Sequence, residues 1–339
     1  MSALEPRTAL TSLPIDYDKR LMLFSGRANP GLAATIAEKL GVSLGPVTLK
    51  TFSNGEVYCR YGESIRGADV FIVQPTCGNP GNGITANDAL MELLMMIDAA
   101  VGASAHRVIA VMPWFAYSRQ DKKSAPREPI SARLVAHMLE AAGADRVLTM
   151  DLHSGQVQGF FKKPVDHMTA LFILTQYFHD LHLPDLVVVA PDVGRAKLNQ
   201  KFAEKIGADL AILTKERPAH SEAEIGYLIG DVRDKTAIIV DDIIDTAGTL
   251  RAAAETVLAQ GASRIFVAAT HGIFSGNAFD KLSSIPFEQI VVTDTIPLRA
   301  EAPDNVVVLP CADLLTDSIR RIFTDGSVSE VFGGENQLF

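Results

Sequence analysis

Ile238-Ile239-Val240-Asp241-Asp242-Ile243-Ile244-Asp245-Thr246-Ala247-Gly248-Thr249 reads as an apolar strand that runs into two adjacent carboxylates and then into a small, hydroxyl-rich loop opening a helix. Each part has a chemical use. Neighbouring carboxylates at a strand end offer strong acceptors to two vicinal hydroxyls, one directly and the other through structure or metal. Thr246 and Thr249 supply hydroxyls, while Ala247 and Gly248 let backbone N–H groups approach an anion at the positive end of a helix. An isolated Asp-Asp pair would fit a solvated turn equally well, with Asp245 or Thr246 as a helix N-cap. The complete pattern is more restrictive and fits a phosphorylated ribose, with Asp241, Asp242, Asp245, Thr246, Ala247, Gly248 and Thr249 as its contacts.

Working outward, short Val- and Ile-rich runs recur at 69–75, 107–114, 146–150, 185–190, 209–214, 236–240, 264–269 and 289–294. Their lengths and turn-rich flanks predict strands buried on both faces. Helical patterns lie between them at 31–40, 86–102, 130–142, 195–206, 248–260 and 312–323. The Leu/Met stripe from Leu90 to Met96 is read as helix core. This alternation predicts an α/β fold of mostly parallel sheets with crossover helices. The rhythm occurs twice, before and after about residue 168, so two similar domains are expected at 18–168 and 169–321, with an N-terminal tail at 1–17 and a C-terminal tail at 322–339. Strand ends at Asp151-Leu152-His153, Pro191-Asp192, Lys215 with Arg217, Asp241-Asp242 and Thr270-His271 should converge on one crevice, because ligands of open parallel sheets sit at the carboxyl ends of strands.

The 339 residues exceed what one hydrophobic core usually supports, and 47% hydrophobic composition is enough for two. A formal charge of −9 without a run of five like charges argues against nucleic acid and against a polybasic membrane patch. Cys59, Cys77 and Cys311 are widely spaced and odd in number, which indicates neither a disulfide framework nor a zinc site. No signal-like or membrane-spanning run is present, so a cytoplasmic protein is expected.

The acid-pair segment resembles the fingerprint shared by type I phosphoribosyltransferases and ribose-phosphate pyrophosphokinases. Further segments resemble the second family: FSNGEV at 52–57, ESIRGADVFIVQ at 63–74, YSRQDKK at 117–123, PISARLVAHML at 129–139, DLHSGQVQGFF at 151–161, KERP at 215–218 and THGIFSG at 270–276. The resemblance implies two tandem type I phosphoribosyltransferase-like domains, each a mostly parallel sheet flanked by helices. It also implies Mg²⁺-dependent transfer of the β,γ-diphosphoryl group of ATP to the C1 hydroxyl of ribose 5-phosphate.

Residue by residue, it assigns Phe52, Asn54, Gly55, Glu56, Arg119 and Gln120 to ATP. His153 and Asp192, with Asp151 beside them, fall to Mg²⁺ or its waters. Lys215 and Arg217 fall to a catalytic loop, Arg217 also reaching ribose 5-phosphate. Ser64, Arg66, Ser327 and Ser329 match an anion site for phosphate or ADP between subunits of a homohexamer. Physically, Phe52 can stack on adenine, Asn54 and Glu56 can pair with its edge, and the two basic residues can stabilise charge on a transferring group. Asp166 matches an acidic position, whereas Lys162 stands where other members carry an acid. Arg195 stands where many members have a second glycine after Pro-Asp. The same segment would also suit a type I phosphoribosyltransferase or a catalytically weak regulatory subunit. Neither explains a first domain carrying FSNGEV and YSRQDKK together with retained His153, Lys215, Arg217 and Asp241.

Overall fold

The computed structural model describes residues 19–216 and 224–332. The chain begins with β1 (Leu21–Ser25) and α1 (Pro30–Leu40), followed by β2 (Val47–Thr51) and β3 (Val57–Tyr61), β4 (Asp69–Val73), α2 (Ala86–Gly102), β5 (Arg107–Met112), α3 (Ser131–Ala142), β6 (Arg146–Met150) and β7 (Val165–Met168). β1, β4, β5, β6 and β7 form, in that order, an all-parallel sheet. Every residue of β4 is buried, as a continuous apolar run in a sheet covered on both faces requires. β2 and β3 pair antiparallel as a separate ribbon.

The second half contains α4 (Leu171–Asp180), β8 (Leu186–Ala190), α5 (Ala196–Ile206), β9 (Asp209–Glu216), β10 (Glu224–Ile229), β11 (Thr236–Ile244), α6 (Gly248–Ala259), β12 (Arg264–Gly272), α7 (Ala278–Ser283), β13 (Phe287–Thr293), β14 (Val306–Leu309) and α8 (Ala312–Phe323). Its sheet runs β10-β9-β8-β11-β12-β13-β14, parallel except for β9 with β10. Strand order therefore reverses between β8 and β11. The period of two along these strands splits their side chains between two cores. Val188, Ile238 and Val240 pack with Phe202 and Ala203 of α5, whereas Val187, Val189, Ala237 and Ile239 pack with Leu250, Ala253, Ala254 and Val257 of α6. With α5 and α6 leaving on opposite faces, the carboxyl ends of β8 and β11 border an open crevice, the usual ligand position in such sheets.

One core is shared by both halves. Leu23, Phe71, Ile109 and Leu148 of the first sheet, Ile36 of α1, Phe178 of α4, Ile319 of α8 and Val188 and Ile238 of the second sheet belong to one buried cluster. The other face of the first sheet packs against α2 and α3. The layers thus run α2/α3, first sheet, a middle helical layer, second sheet, α6/α7. α8 packs on α1, and Asp325 just beyond it meets Lys19 at 2.7 Å and Arg107 at 3.0 Å.

Every strand and helix expected from the sequence is present within a few residues. The strand expected at 236–240 continues through the acid pair to Ile244, because its pairing with β12 extends to Ile243–His271 and Ile244–Gly272. Strands β1, β2, β3, β7, β10 and β14 and helices α4 and α7 had no counterpart in the sequence reading. β2 and β3 mix Lys50, Arg60 and Tyr58 with apolar residues on a half-exposed ribbon, and α4 opens on Leu171-Phe172-Ile173-Leu174, an apolar run without helical period. No described helix is long and apolar enough to cross a membrane.

Candidate active site

β11 delivers Asp241 and Asp242 to the crevice on opposite sides of the strand. Asp242 is the more deeply buried, with a side chain 3% exposed against 29% for Asp241. Burial alone would raise the Asp242 pKa. The His153 hydrogen bond, Nδ1 to Oδ2 at 2.8 Å, and the guanidinium of Arg195 outweigh it and hold this carboxyl below the usual range. Asp241 goes the other way: burial and then the charge of Asp242 push it up, so Asp242 is the stronger acid of the two. The Asp242 backbone N–H donates to Asp241 Oδ1 at 2.8 Å and fixes the second acid beside the first.

Arg195 is the hub of this cluster. It pairs with Asp242, lies 3.5 Å from Asp241 through Nε, and its Nη2 stands 3.0 Å from His153 Nδ1 and 3.3 Å from the His153 carbonyl. Its own N–H donates to Asp192 Oδ1 at 3.2 Å, which caps the turn Val193–Arg195 leading into α5. The sequence marked Arg195 only as an exception to the glycine of other members. In three dimensions it joins His153, Asp192, Asp241 and Asp242, which come from three strand ends.

Asp151 sits elsewhere in the network. Its Oδ2 accepts from the Ala170 N–H at 2.8 Å and from the Thr270 hydroxyl at 2.6 Å, joining the end of β6 to β12. His271 Nε2 donates to Met150 O at 3.2 Å and its Nδ1 meets Thr295 Oγ1 at 3.0 Å in the same seam, and its ring meets Trp114 edge to face at 4.8 Å. The structure therefore gives Asp151 a bridging role between the two sheets. Asp166 is engaged by Arg146 through both oxygens, at 2.9 and 2.7 Å.

Among the described residues no three His, Cys, Asp or Glu side chains form a cage. Asp242 Oδ1, however, is buried without a hydrogen-bond partner. An unpartnered carboxylate oxygen on the acid that His153 contacts, in the cluster that Arg195 ties to Asp192, fits Mg²⁺, which takes one or two carboxylates and fills its remaining positions with waters and substrate phosphates.

The loop after the acid pair leads into a helix without a side-chain cap. α6 starts with no side-chain N-cap and no acidic residue in its first turn, so its leading N–H groups are unclaimed by side chains. Ala247 is left-handed, φ 57° and ψ 9°, and Thr246 O accepts from Lys281 Nζ at 3.0 Å. Asp245 O accepts from Ser275 N at 3.0 Å.

The nucleotide candidates occupy two places. Phe52 to Glu56 form the tight turn between β2 and β3: Phe52 N donates to Glu56 O at 2.7 Å, Gly55 N to Phe52 O at 2.8 Å, Glu56 N to Asn54 Oδ1 at 3.2 Å, and Gly55 takes φ 91°. Phe52 is 45% exposed, its ring flanked by Tyr58 and by Lys50 Nζ at 5.1 Å. Arg119 follows β5 and reaches Asp245 Oδ2 at 2.5 Å, while Gln120 Oε1 accepts from Ser131 at 2.5 Å. Among the described residues no hydrogen bond links the Phe52–Glu56 turn to Arg119 or Gln120. Arg217 lies outside the described residues, as does the side chain of Lys215 near the end of β9. Ser64 and Arg66 are exposed, Arg66 O accepting from Arg20, and Ser327 Oγ meets Ser329 Oγ at 2.8 Å. Among the described residues no hydrogen bond joins these two pairs.

Two mostly parallel sheets sharing a core, with an acid pair and an uncapped helix start at the switch point of the second, define an α/β protein of phosphoribosyltransferase-like fold. Residues 21–143 match the model of the N-terminal domain of ribose phosphate pyrophosphokinase, and residues 225–333 match that of the phosphoribosyl synthetase-associated domain. The ribose-phosphate pyrophosphokinase of Caldanaerobacter subterraneus subsp. tengcongensis is 49% identical over 93% of this chain and 99% of its own. That of Gloeobacter violaceus is 47% identical over 96% and 97%. The phosphoribosylpyrophosphate synthetase of Mycobacterium smegmatis superposes with a TM-score of 0.85 at 43% identity, covering 91% of this chain and 100% of that one. The chain belongs to the ribose-phosphate pyrophosphokinase family and is an enzyme of that family.

Proposed function

We propose that the protein converts ATP and ribose 5-phosphate to 5-phospho-α-D-ribose 1-diphosphate and AMP. The observation that carries this reading is the contact of Arg119 with Asp245, which sets a residue of the nucleotide half against the first residue of the phosphate loop. In this reading Asp241 and Asp242 accept from the ribose hydroxyls, and the N–H groups and hydroxyls of Thr246 to Thr249 hold the 5-phosphate, with Asp245 beside them. Phe52, Asn54, Gly55 and Glu56 take the adenine; Arg119 and Gln120 complete the nucleotide site.

The C1 oxygen attacks the β-phosphorus, the bond from that phosphorus to the α,β-bridging oxygen breaks, AMP leaves with the electron pair, and the hydroxyl proton is released. Such transfers need alignment and charge stabilisation more than covalent help, and Lys215 and Arg217 are the residues suited to the second task. Mg²⁺, held by Asp242, Asp192 and His153 directly or through water, would supply neutralisation of phosphate charge. Arg195 would hold the acids together before the cation and phosphates arrive.

Homohexamer assembly in the cytoplasm, and control by phosphate and ADP at Ser64, Arg66, Ser327 and Ser329, belong to the same reading and are supported by the resemblance of those segments. Omission incubations test the reaction. AMP release should require ATP, ribose 5-phosphate and Mg²⁺ together. AMP release without ribose 5-phosphate, or none with all three at any phosphate concentration, would contradict it.

A further inference from the structure

Lys281 carries a function that no motif around the acid pair announces. It sits on α7, a short helix anchored by the buried Ala278 and Leu282 and by the stacking of Phe279 on Phe274, 4.8 Å between ring centroids. Its ammonium donates to the carbonyl of Thr246 at 3.0 Å. That carbonyl belongs to the peptide joining Thr246 to Ala247, and this peptide, like every other described, is trans. In a planar trans peptide the C=O and N–H point in opposite directions. Gripping Thr246 O from the α7 side therefore aims the Ala247 N–H away from Lys281, just before a helix that no side chain caps and that has no acid in its first turn.

The backbone at this point needs an external hold. Ala247 is left-handed, a conformation that a Cβ disfavours. A charged donor on the preceding carbonyl offsets this, and by polarising the peptide it strengthens the N–H on the other side. Ser275 N on Asp245 O, from the segment between β12 and α7, secures the residue before. The chain after β12 thus clamps the phosphate loop at two successive carbonyls, one of them with a full charge.

We infer that Lys281 is a positioning residue for the ribose 5-phosphate half-site, fixing the Thr246–Ala247 peptide so that the Ala247 N–H is presented to the 5-phosphate. This rests on the reaction proposed above. It is tested by calorimetric titration of the full-length protein with ribose 5-phosphate and, separately, with Mg-ATP, in the unaltered protein, Lys281→Met and Lys281→Arg. Lys281→Met keeps the aliphatic stem and should weaken ribose 5-phosphate binding about tenfold, the effect of one charge-assisted hydrogen bond, with Mg-ATP binding unchanged. Lys281→Arg should recover most of the loss, and in turnover the methionine change should appear in the ribose 5-phosphate KM rather than in kcat. Binding of ribose 5-phosphate to Lys281→Met within twofold of the unaltered protein, or equal weakening of both substrates, would overturn the role. Failure of the unaltered protein itself to bind ribose 5-phosphate would instead overturn the reaction on which it rests.

Discussion

Arg119 and Asp245 are 126 positions apart in the chain and 2.5 Å apart in space. One follows the third strand of the first sheet; the other opens the loop after the acid pair of the second. The contact brings an otherwise solvent-facing guanidinium to the end of β11, beside the loop after the acid pair.

Because the Arg119 side chain is 49% exposed, this pair contributes little to stability, on the order of 0.5 kcal/mol. Its value lies in placement. Arg119→Ala should leave the urea midpoint nearly unchanged while weakening ATP binding about tenfold or more, as loss of a charge-assisted phosphate contact does. A large stability loss with unaltered ATP affinity would make Arg119 a structural residue.

Arg195 is the opposite case. Its partner Asp242 is buried, so removing the guanidinium leaves a carboxylate compensated by His153 alone. Arg195→Ala should destabilise the protein by about 3 kcal/mol in chemical denaturation at pH 7. Asp242→Asn in the same chain should restore part of that loss, since the buried charge is then gone. Additive effects of the two changes would show that the pair is uncoupled.

Stability should also fall in mild acid. Burial is the largest influence on His167 and pushes it down to about 4, and its Nε2 accepts from the Leu152 N–H at 2.8 Å, which keeps the ring neutral. In the unfolded chain the same ring takes a proton near pH 6.5. Between those values the unfolded state binds more protons, so the contribution is fully present above about 6.5, is lost as pH falls, and levels off below about 4; it amounts to on the order of 3 kcal/mol. His167→Gln should flatten the melting temperature over this window, and an unchanged slope would contradict the assignment.

Asp151 tests the seam between the sheets. Removing its carboxylate leaves the Ala170 N–H and the Thr270 hydroxyl unpaired, so Asp151→Ala should cost about 3 kcal/mol, whereas Asp151→Asn, which keeps an acceptor, should cost about 1 kcal/mol or less. Trp114, the chain's one tryptophan, packs against His271 in this seam, and its emission should shift with the alanine change. Equal effects of both substitutions would remove the bridging role.

The parallel sheets were legible because apolar runs such as Asp69–Val73 are buried throughout and have few alternatives. The helix stripe was legible in kind: Leu90, Leu93 and Met96 are buried, while Met91 and Met95 face outward. The acid pair at a strand end, the small loop after it and the tight turn at Phe52 to Glu56 were legible as local patterns. Contacts across the crevice were not. Nothing in the spacing of Arg195, His153 and Asp242 reveals that one guanidinium joins them, because the switch between β8 and β11 is a property of strand order. Asp151 and His153 lie two residues apart yet face different partners, since Asp151 takes a positive φ of 34° and breaks the strand alternation. Lys281 lies beyond the THGIFSG segment and becomes visible only when α7 folds beneath the phosphate loop.

In the proposed reaction two phosphoryl groups pass as a unit from ATP to C1. Following ATP labelled separately at the α, β and γ positions by ³¹P spectroscopy or radiography tests it most directly. The α label should appear only in AMP, and the β and γ labels together in 5-phospho-α-D-ribose 1-diphosphate, one for one with AMP. Appearance of the α and β labels in ADP, with γ alone on the sugar, would contradict the account.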